Sequence, residues 1–173
     1  MTTYAIVQPH PDFRLRIVGD DTAIRMIEFD VGHGEPGWIE DPGHPLIREA
    51  ARQLEEYFQG KRRQFDLALR LRGTPFQKRV WGALQAIPYG TTRSYADIAR
   101  GVGSPLGARA VGQANSANPL AIVVPCHRVI AADGTLGGYR PGLERKRFLL
   151  DLESALTLRV PPSPLPGGSS PQV

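Results

Sequence analysis

Apolar and polar positions change rhythm several times along this chain. Residues 4–8, 13–18 and 23–29 are short apolar or alternating runs, separated by His10-Pro11-Asp12 and Gly19-Asp20-Asp21. Alternation broken by turn chemistry predicts three strands. Residues 31–43 hold four glycines and two prolines and read as a loop. From Pro45 the period lengthens: Leu46, Ile47, Ala50, Ala51, Leu54, Tyr57 and Phe58 fall on one helical face, with Gly60 as the stop. Residues 65–71 alternate again, as a strand or an extended linker. Thr74-Pro75 opens a second helix carrying Phe76, Val80, Trp81 and Leu84, which Ile87-Pro88-Tyr89-Gly90 ends. Ser94, three residues before Asp97, is a weak relative of the capping box. Tyr95, Ile98, Ala99 and Val102 then follow at helical spacing, and Gly103-Ser104-Pro105 breaks the chain. A further helix is expected over residues 106–115, so that two short helices joined by a Gly-containing turn match a helix-turn-helix. Residues 120–124 form an apolar run read as a buried strand, ending at Pro125-Cys126-His127-Arg128. A Gly-rich stretch from 134 to 142 leads into a last helix over 143–152. Residues 160–173 lack periodicity and are rich in proline, which predicts disorder.

The helix expected at 106–115 is thin, because Gly107, Ala108, Ala110, Gly112 and Ala114 are small. Small side chains allow close approach to another backbone, either a neighbouring helix or a nucleic acid. Arg109 is the one long cation in its middle, shaped for a wedge into a duplex groove. His10, His33 and His44 lie among Gly and Pro and read as surface or loop histidines, and residues 1–64 show no catalytic constellation.

Length and composition narrow the class. A chain of 173 residues holds one domain or two small ones. With 41% hydrophobic and 22% charged residues it reads as a soluble globular protein. No apolar run reaches the roughly 18 residues that span a bilayer, and Met1-Thr2-Thr3-Tyr4 does not resemble the start of a secretory signal. One cysteine excludes intrachain disulfides and multi-cysteine zinc sites. The net charge of +4 is uneven: residues 1–72 carry 10 basic and 12 acidic side chains, residues 73–153 carry 10 and 5. A polyanionic partner would therefore meet the second half.

That lone cysteine, Cys126, directly precedes a histidine in the basic half. A free thiol titrates near 8.5, and a neighbouring base with positive surroundings raises its thiolate fraction. The alternative is a buried cysteine acting as a small hydrophobe. A Cys-His pair needs an acid to orient the imidazole, and Asp97, Asp133, Asp151 and Glu153 are the candidates that spacing leaves open.

Pro125-Cys126-His127-Arg128-Val129, preceded by Asn118-Pro119, resembles the active-site motif of the O6-alkylguanine-DNA alkyltransferases. Ile87-Pro88-Tyr89-Gly90, Ser94-Tyr95, Ala108-Arg109-Ala110-Val111-Gly112, Gly138-Tyr139-Arg140 and residues 146–153 follow the family's order and spacing. The resemblance is strong over 74–153 and weaker over 1–73. It implies an α/β N-terminal domain (a small sheet plus a helix, ribonuclease-H-like) over 1–72. A mainly α domain with a helix-turn-helix would follow over 73–155, then a disordered tail over 156–173.

It also implies methylated-DNA–[protein]-cysteine S-methyltransferase activity: an alkyl group leaves the O6 of guanine in duplex DNA and stays on the protein's cysteine, one event per molecule. No cofactor and no metal are implied. The implied partner is double-stranded DNA containing O6-alkylguanine, with O4-alkylthymine a candidate second lesion. The implied setting is a free monomer in the cytoplasm, on the nucleoid, away from membranes.

By the same resemblance Cys126 is the acceptor, His127 takes its proton through a water, and Glu153 orients His127. Asn118 bridges the DNA-binding and active-site segments. Tyr95 crowds the phosphate and donates to the departing guanine. The Cys126 and Val129 carbonyls read the guanine amino group, and the Arg140 N–H bonds O6, in a pocket that also holds Tyr139 and Pro141. Arg109 fills the gap left by the flipped base, and Ser94, Tyr95, Ala110 and Gly112 belong to the DNA-binding face in the minor groove. Arg140, Pro141 and Ala121 depart from the vertebrate pattern. Cys126 argues against a non-catalytic lesion binder. A cysteine hydrolase leaves the Arg109 helix unexplained, and a helix-turn-helix regulator has no use for Pro-Cys-His-Arg.

Overall fold

The computed structural model describes residues 1–29 and 32–159, the last five of these as backbone only. Strands β1 (Thr3–His10), β2 (Phe13–Gly19), β3 (Ile24–Phe29) and β4 (Ile39–Glu40) form one sheet in the order β3-β2-β1-β4. The β1–β2 and β2–β3 pairs are antiparallel hairpins. Strand β4 lies inside the stretch expected to be only loop and pairs parallel to β1. Alternation places Phe13, Leu15 and Ile17 of β2 in the core. Helix α1 (Pro45–Phe58) packs on β1 and β2 with Ile47, Ala50, Leu54 and Tyr57 buried. Arg16, on the other face of β2, is also buried: it pairs with Glu28 at 2.7 Å and lies 5.2 Å from the Trp38 ring centroid.

The second half is mostly helical. Helix α2 (Pro75–Gln85) starts at a complete Thr74–Gln77 capping box. After the two-residue strand β5 (Arg93–Ser94), helix α3 (Tyr95–Gly101) starts at a second one. The Ser94–Asp97 pair is thus reciprocal, stronger than its sequence suggests. Helix α4 spans Ala108–Ser116, not 106–115; Leu106 is 99% exposed and Gly107 is its N-cap. Val111, Ala114 and Asn115 face α2 and α3, and Trp81 Nε1 donates to the Ala114 carbonyl at 2.8 Å. Arg109 and Ala110 are on the exposed side. A 3₁₀ turn (Cys126–Arg128) leads into β6 (Val129–Ile130), which pairs parallel to β5, and α5 runs over Leu143–Arg159. The expected tail over 156–173 therefore begins too early, since α5 includes 156–159; residues 160–173 lie outside the described residues. Among the described residues no helix is long and apolar enough to cross a membrane.

Two other expectations change. His44 is buried as the N-cap of α1, with Nε2 3.3 Å from Asp21 Oδ1, and the His10 ring packs between Phe13, Phe58 and Phe148. Local Gly and Pro signalled loops there but not what folds over them. Residues 120–124 are buried as expected, yet they are not a strand. Val123 N–H donates to the Ala121 carbonyl across Ile122, whose φ is +71°, and Cys126 N–H donates to the Val124 carbonyl across Pro125 at φ −82°, ψ +64°. These are successive γ-turns of opposite hand, the first of the rare, strained kind. A β-branched residue at positive φ is an outlier that surrounding structure must enforce.

Asn118 supplies that enforcement. Its Oδ1 accepts from Leu120 N–H at 2.9 Å and its Nδ2 donates to the Val124 carbonyl at 2.8 Å. The outer edge of β3 holds the same segment: Ile27 N–H donates to the Pro119 carbonyl and Ala121 N–H to the Ile27 carbonyl. Further along that edge, Ile24 pairs with the extended 65–71 segment at Leu69. The turn that presents Cys126 is thus fastened both internally and to the sheet. Asn118→Ala leaves the buried Leu120 N–H without its partner and the Val124 carbonyl with the Cys126 N–H alone, so it should lower the unfolding free energy by about 1–3 kcal/mol. Denaturant titration checks this; an unchanged midpoint would show that the turn holds without Asn118.

Candidate active site

Cys126 opens the 3₁₀ turn and is 6% exposed. It lines a cavity of about 260 Å³ together with Asn115, Ser116, Asn118 and Ala121, the segment Gly138, Tyr139, Arg140 and Pro141, and Arg145. The N-terminal sheet supplies a wall as well, through Ile27, Glu28 and Phe29 of β3. Burial pushes the Cys126 thiol up, against smaller downward pulls from the Asn118 side chain and the Lys146 cation. The resting sulfur is therefore a protonated thiol.

Of the four candidate acids, Glu153 on α5 is the one brought to His127, with its Oε1 2.7 Å from Nε2. Glu153 is fully buried. The same Oε1 accepts from Tyr57 Oη at 2.7 Å and Arg128 Nη2 at 2.9 Å, and Oε2 accepts from Arg128 Nε at 2.9 Å. Burial alone would raise this carboxyl. The His127 contact and the Arg128 guanidinium outweigh it and hold Glu153 well below the usual carboxylate range. Burial lowers His127, and the attraction of Glu153 does not fully reverse that. The imidazole is therefore neutral. Because a carboxylate only accepts, Nε2 carries the proton, and Nδ1, buried with no hydrogen-bond partner among the described residues, is left as a base.

Four contributors to this site were not singled out from sequence. Tyr57 comes from the half read as holding no catalytic constellation; a tyrosine on a buried helical stripe needs a partner for its hydroxyl, which was the available signal. Arg128 is buried, donating also to the Ile87 carbonyl at 2.8 Å. Asn115 donates from Nδ2 to the Cys126 carbonyl at 3.2 Å. Lys146 is fully buried; its Nζ bonds the carbonyls of Val129 (2.6 Å), Gly138 (3.0 Å) and Leu136, and burial lowers it to about 8.

The remaining predicted residues take up varied positions. Tyr95 at the start of α3 donates to the Gly138 carbonyl at 3.4 Å, and burial raises its hydroxyl. Its ring faces Gly112 of α4 and packs so closely on Gly137 that a Cβ there would lie 2.9 Å from it. Ser94 spends its hydroxyl oxygen on capping α3. Tyr139 is among the cavity's lining residues, and its hydroxyl is raised well above the ordinary range by burial and then by Cys126. Arg140 is exposed at the rim. Val129 does not line the cavity; it is buried behind it with its carbonyl on Lys146. Arg109 is exposed and makes no hydrogen bond or ion pair with the described residues.

A buried thiol on a cavity wall, followed in the chain by an imidazole whose proton is placed by a carboxylate, is carried on a two-domain scaffold. Residues 4–71 match the family described as 6-O-methylguanine DNA methyltransferase, ribonuclease-like domain, and residues 75–155 match its DNA binding domain. A Methanosarcina acetivorans protein named methylated-DNA–protein-cysteine methyltransferase is 47% identical over 156 residues, which is 88% of this chain and 98% of that one. A namesake from Mycolicibacterium paratuberculosis is 52% identical over 142 residues, 80% and 85% of the two chains. The crystal structure of Mycobacterium tuberculosis OGT in complex with DNA superposes with a TM-score of 0.83 at 46% identity, covering 89% of this chain and 94% of its own. The chain belongs to the 6-O-methylguanine DNA methyltransferase family.

The Glu153 cluster carries a pH signature. The folded-state pKa values of Glu153 and His127 both lie below their ordinary 4.5 and 6.5. On acidification the unfolded chain therefore takes up these protons first, and stability falls, through His127 below about 6.5 and through Glu153 below about 4.5. Glu153→Gln strands the Arg128 guanidinium, a loss of about 3–5 kcal/mol near neutrality. That gap to the parent should narrow at pH 4 in urea titrations; a constant gap would show that Glu153 is not held as an anion.

Proposed function

We infer that this protein repairs DNA by transferring the alkyl group of O6-alkylguanine to Cys126, irreversibly and once per molecule. The observation that carries this is the buried Cys126 sulfur on the cavity wall, next to a Glu153-anchored His127, in a chain of the methyltransferase family. Sulfur attacks the alkyl carbon. An S–C bond forms as the C–O6 bond breaks, and the bonding pair leaves with guanine. The thiol proton passes to His127 Nδ1 through a bridging water and is then released by way of solvent to the guanine anion, so that a neutral thioether, a neutral imidazole and neutral guanine result. The Tyr95 hydroxyl donates to the ring as negative charge builds on it.

The positions of the surrounding groups support the roles given to them here. Residues 1–72 form the N-terminal domain and 73–155 the one that binds DNA and performs the transfer. Helices α3 and α4 act as a helix-turn-helix with α4 in the minor groove, its packed side on α2 and α3 and its exposed side toward the duplex. Minor-groove and phosphate contacts carry little sequence information, which suits repair at any site. Flipping the base costs a few kcal/mol, which Arg109 offsets by filling the vacated stack. Ser94, Tyr95, Ala110 and Gly112 complete the DNA face. The Cys126 carbonyl reads the guanine amino group and the Arg140 N–H bonds O6, while the Val129 carbonyl, behind the cavity, stays on Lys146. Tyr139 and Pro141 close the pocket. The free protein is a monomer acting on the nucleoid, with O4-alkylthymine as a second lesion to assay.

Two experiments test this. Incubation with excess O6-methylguanine duplex should add one methyl group to Cys126, seen by intact mass and peptide mapping, and then stop. Cys126→Ala should take up none while keeping its DNA affinity; sustained turnover, or methyl on another residue, rejects the assignment. Arg109→Ala should slow repair of duplex by at least tenfold, yet react with free O6-alkylguanine at the parent rate because nothing needs flipping. Equal losses on both substrates would place Arg109 in catalysis or folding instead.

A further inference from the structure

One side chain fastens the lid of the cavity to the N-terminal sheet. Arg145, in the first turn of α5, donates from Nη1 to the Pro141 carbonyl at 2.8 Å, and its guanidinium carbon lies 5.1 Å from the centroid of the Phe29 ring on β3. Phe29, Pro141 and Arg145 all line the cavity that contains Cys126. A cation in a first helical turn faces the positive end of the helix dipole. The position is therefore favourable only for what the guanidinium touches, including a carbonyl oxygen and a ring face.

Gly137 and Gly142 flank the lid at φ +67° and +111°, conformations that glycine adopts without strain. Its first half is anchored, because the Gly138 carbonyl accepts from both Lys146 and Tyr95. At the second half, the Pro141 carbonyl is held by Arg145. The cavity, at about 260 Å³, is smaller than the roughly 300–1,000 Å³ of usual small-molecule sites. A modest outward shift of Pro141 therefore changes what fits.

We propose that Arg145 is a positioning residue which, tied to Pro141 on one side and Phe29 on the other, sets how far the lid opens and so the size of alkyl group accepted. This rests on the alkyl-transfer reading. It makes β3 of the N-terminal domain part of the specificity apparatus, since the ring on which the guanidinium rests belongs to that strand. It also locates the lid's stiffness in the Arg145 bond more than in the proline ring of Pro141.

The test is a ratio: the single-turnover rate constant with free O6-benzylguanine over that with O6-methylguanine, measured on one preparation. The folded fraction cancels in such a ratio, so a variant that merely folds less well leaves it unchanged. Arg145→Ala should raise the ratio about tenfold, the scale of one charge-assisted hydrogen bond. Arg145→Lys should fall between parent and Arg145→Ala, since an ammonium reaches a carbonyl but does not stack as a plane. Phe29→Leu should raise the ratio in the same direction, and combining it with Arg145→Ala should add nothing. Pro141→Gly keeps the carbonyl and should change the ratio less than Arg145→Ala does. Ratios within twofold of the parent in Arg145→Ala and Phe29→Leu overturn the proposal alone. A parent that takes up no alkyl group from either base or from methylated DNA overturns the alkyl-transfer reading with it.

Discussion

The groups behind the Cys126 turn are organised around one buried carboxylate. Glu153 accepts hydrogen bonds from α1 through Tyr57, from the imidazole of His127 and from two nitrogens of Arg128. An isolated carboxylate in this position would protonate. It stays charged because a guanidinium lies against it and its lone pairs are filled, and Arg128 in turn is anchored at Ile87 and stacked near Tyr89. The arrangement has a directional result: with Glu153 ionised, His127 has one available tautomer, and its free lone pair is Nδ1. Charge neutrality inside the core and basicity at the site are the same constraint.

The N-terminal sheet contributes more than bulk. The outer edge of β3 takes the backbone of the Asn118 turn as though it were another strand, while its side chains wall the cavity. That pairing helps hold Ile122 at a φ its side chain disfavours. The strain lies in the segment immediately before the nucleophile, where the chain must reverse twice to place a sulfur against a cavity.

Much of this was legible in the residues. Alternation located three strands, helical spacing located α1, α2 and α3, and of the residues named from the ordered motifs the fold brings Glu153 to His127 and Asn118 to the turn before Cys126. What failed did so for stated reasons. Residues 120–124 have the composition of a buried strand and are buried, but a side chain outside the run, Asn118, competes for their backbone groups and folds them into γ-turns. Propensity places Ile122 last among residues to adopt positive φ. His44 and His10 looked like loop residues because Asp21 beside the first, and Phe58 and Phe148 against the second, come from elements distant in sequence. Tyr57, Lys146 and Arg145 act through contacts between distant segments, and no local pattern encodes those partners.

The β3 edge also bears on how the chain acquires its reactivity. During synthesis this strand emerges well before the residues that will pair with its outer side. Until those arrive, its unpaired N–H and C=O groups form an open template, the feature that invites association with another chain. Residues 65–71 cover that edge at Ile24, and the turn that leads to Cys126 covers it at Ile27. One long-range pairing therefore both closes an edge open to association and braces the turn that carries the sulfur.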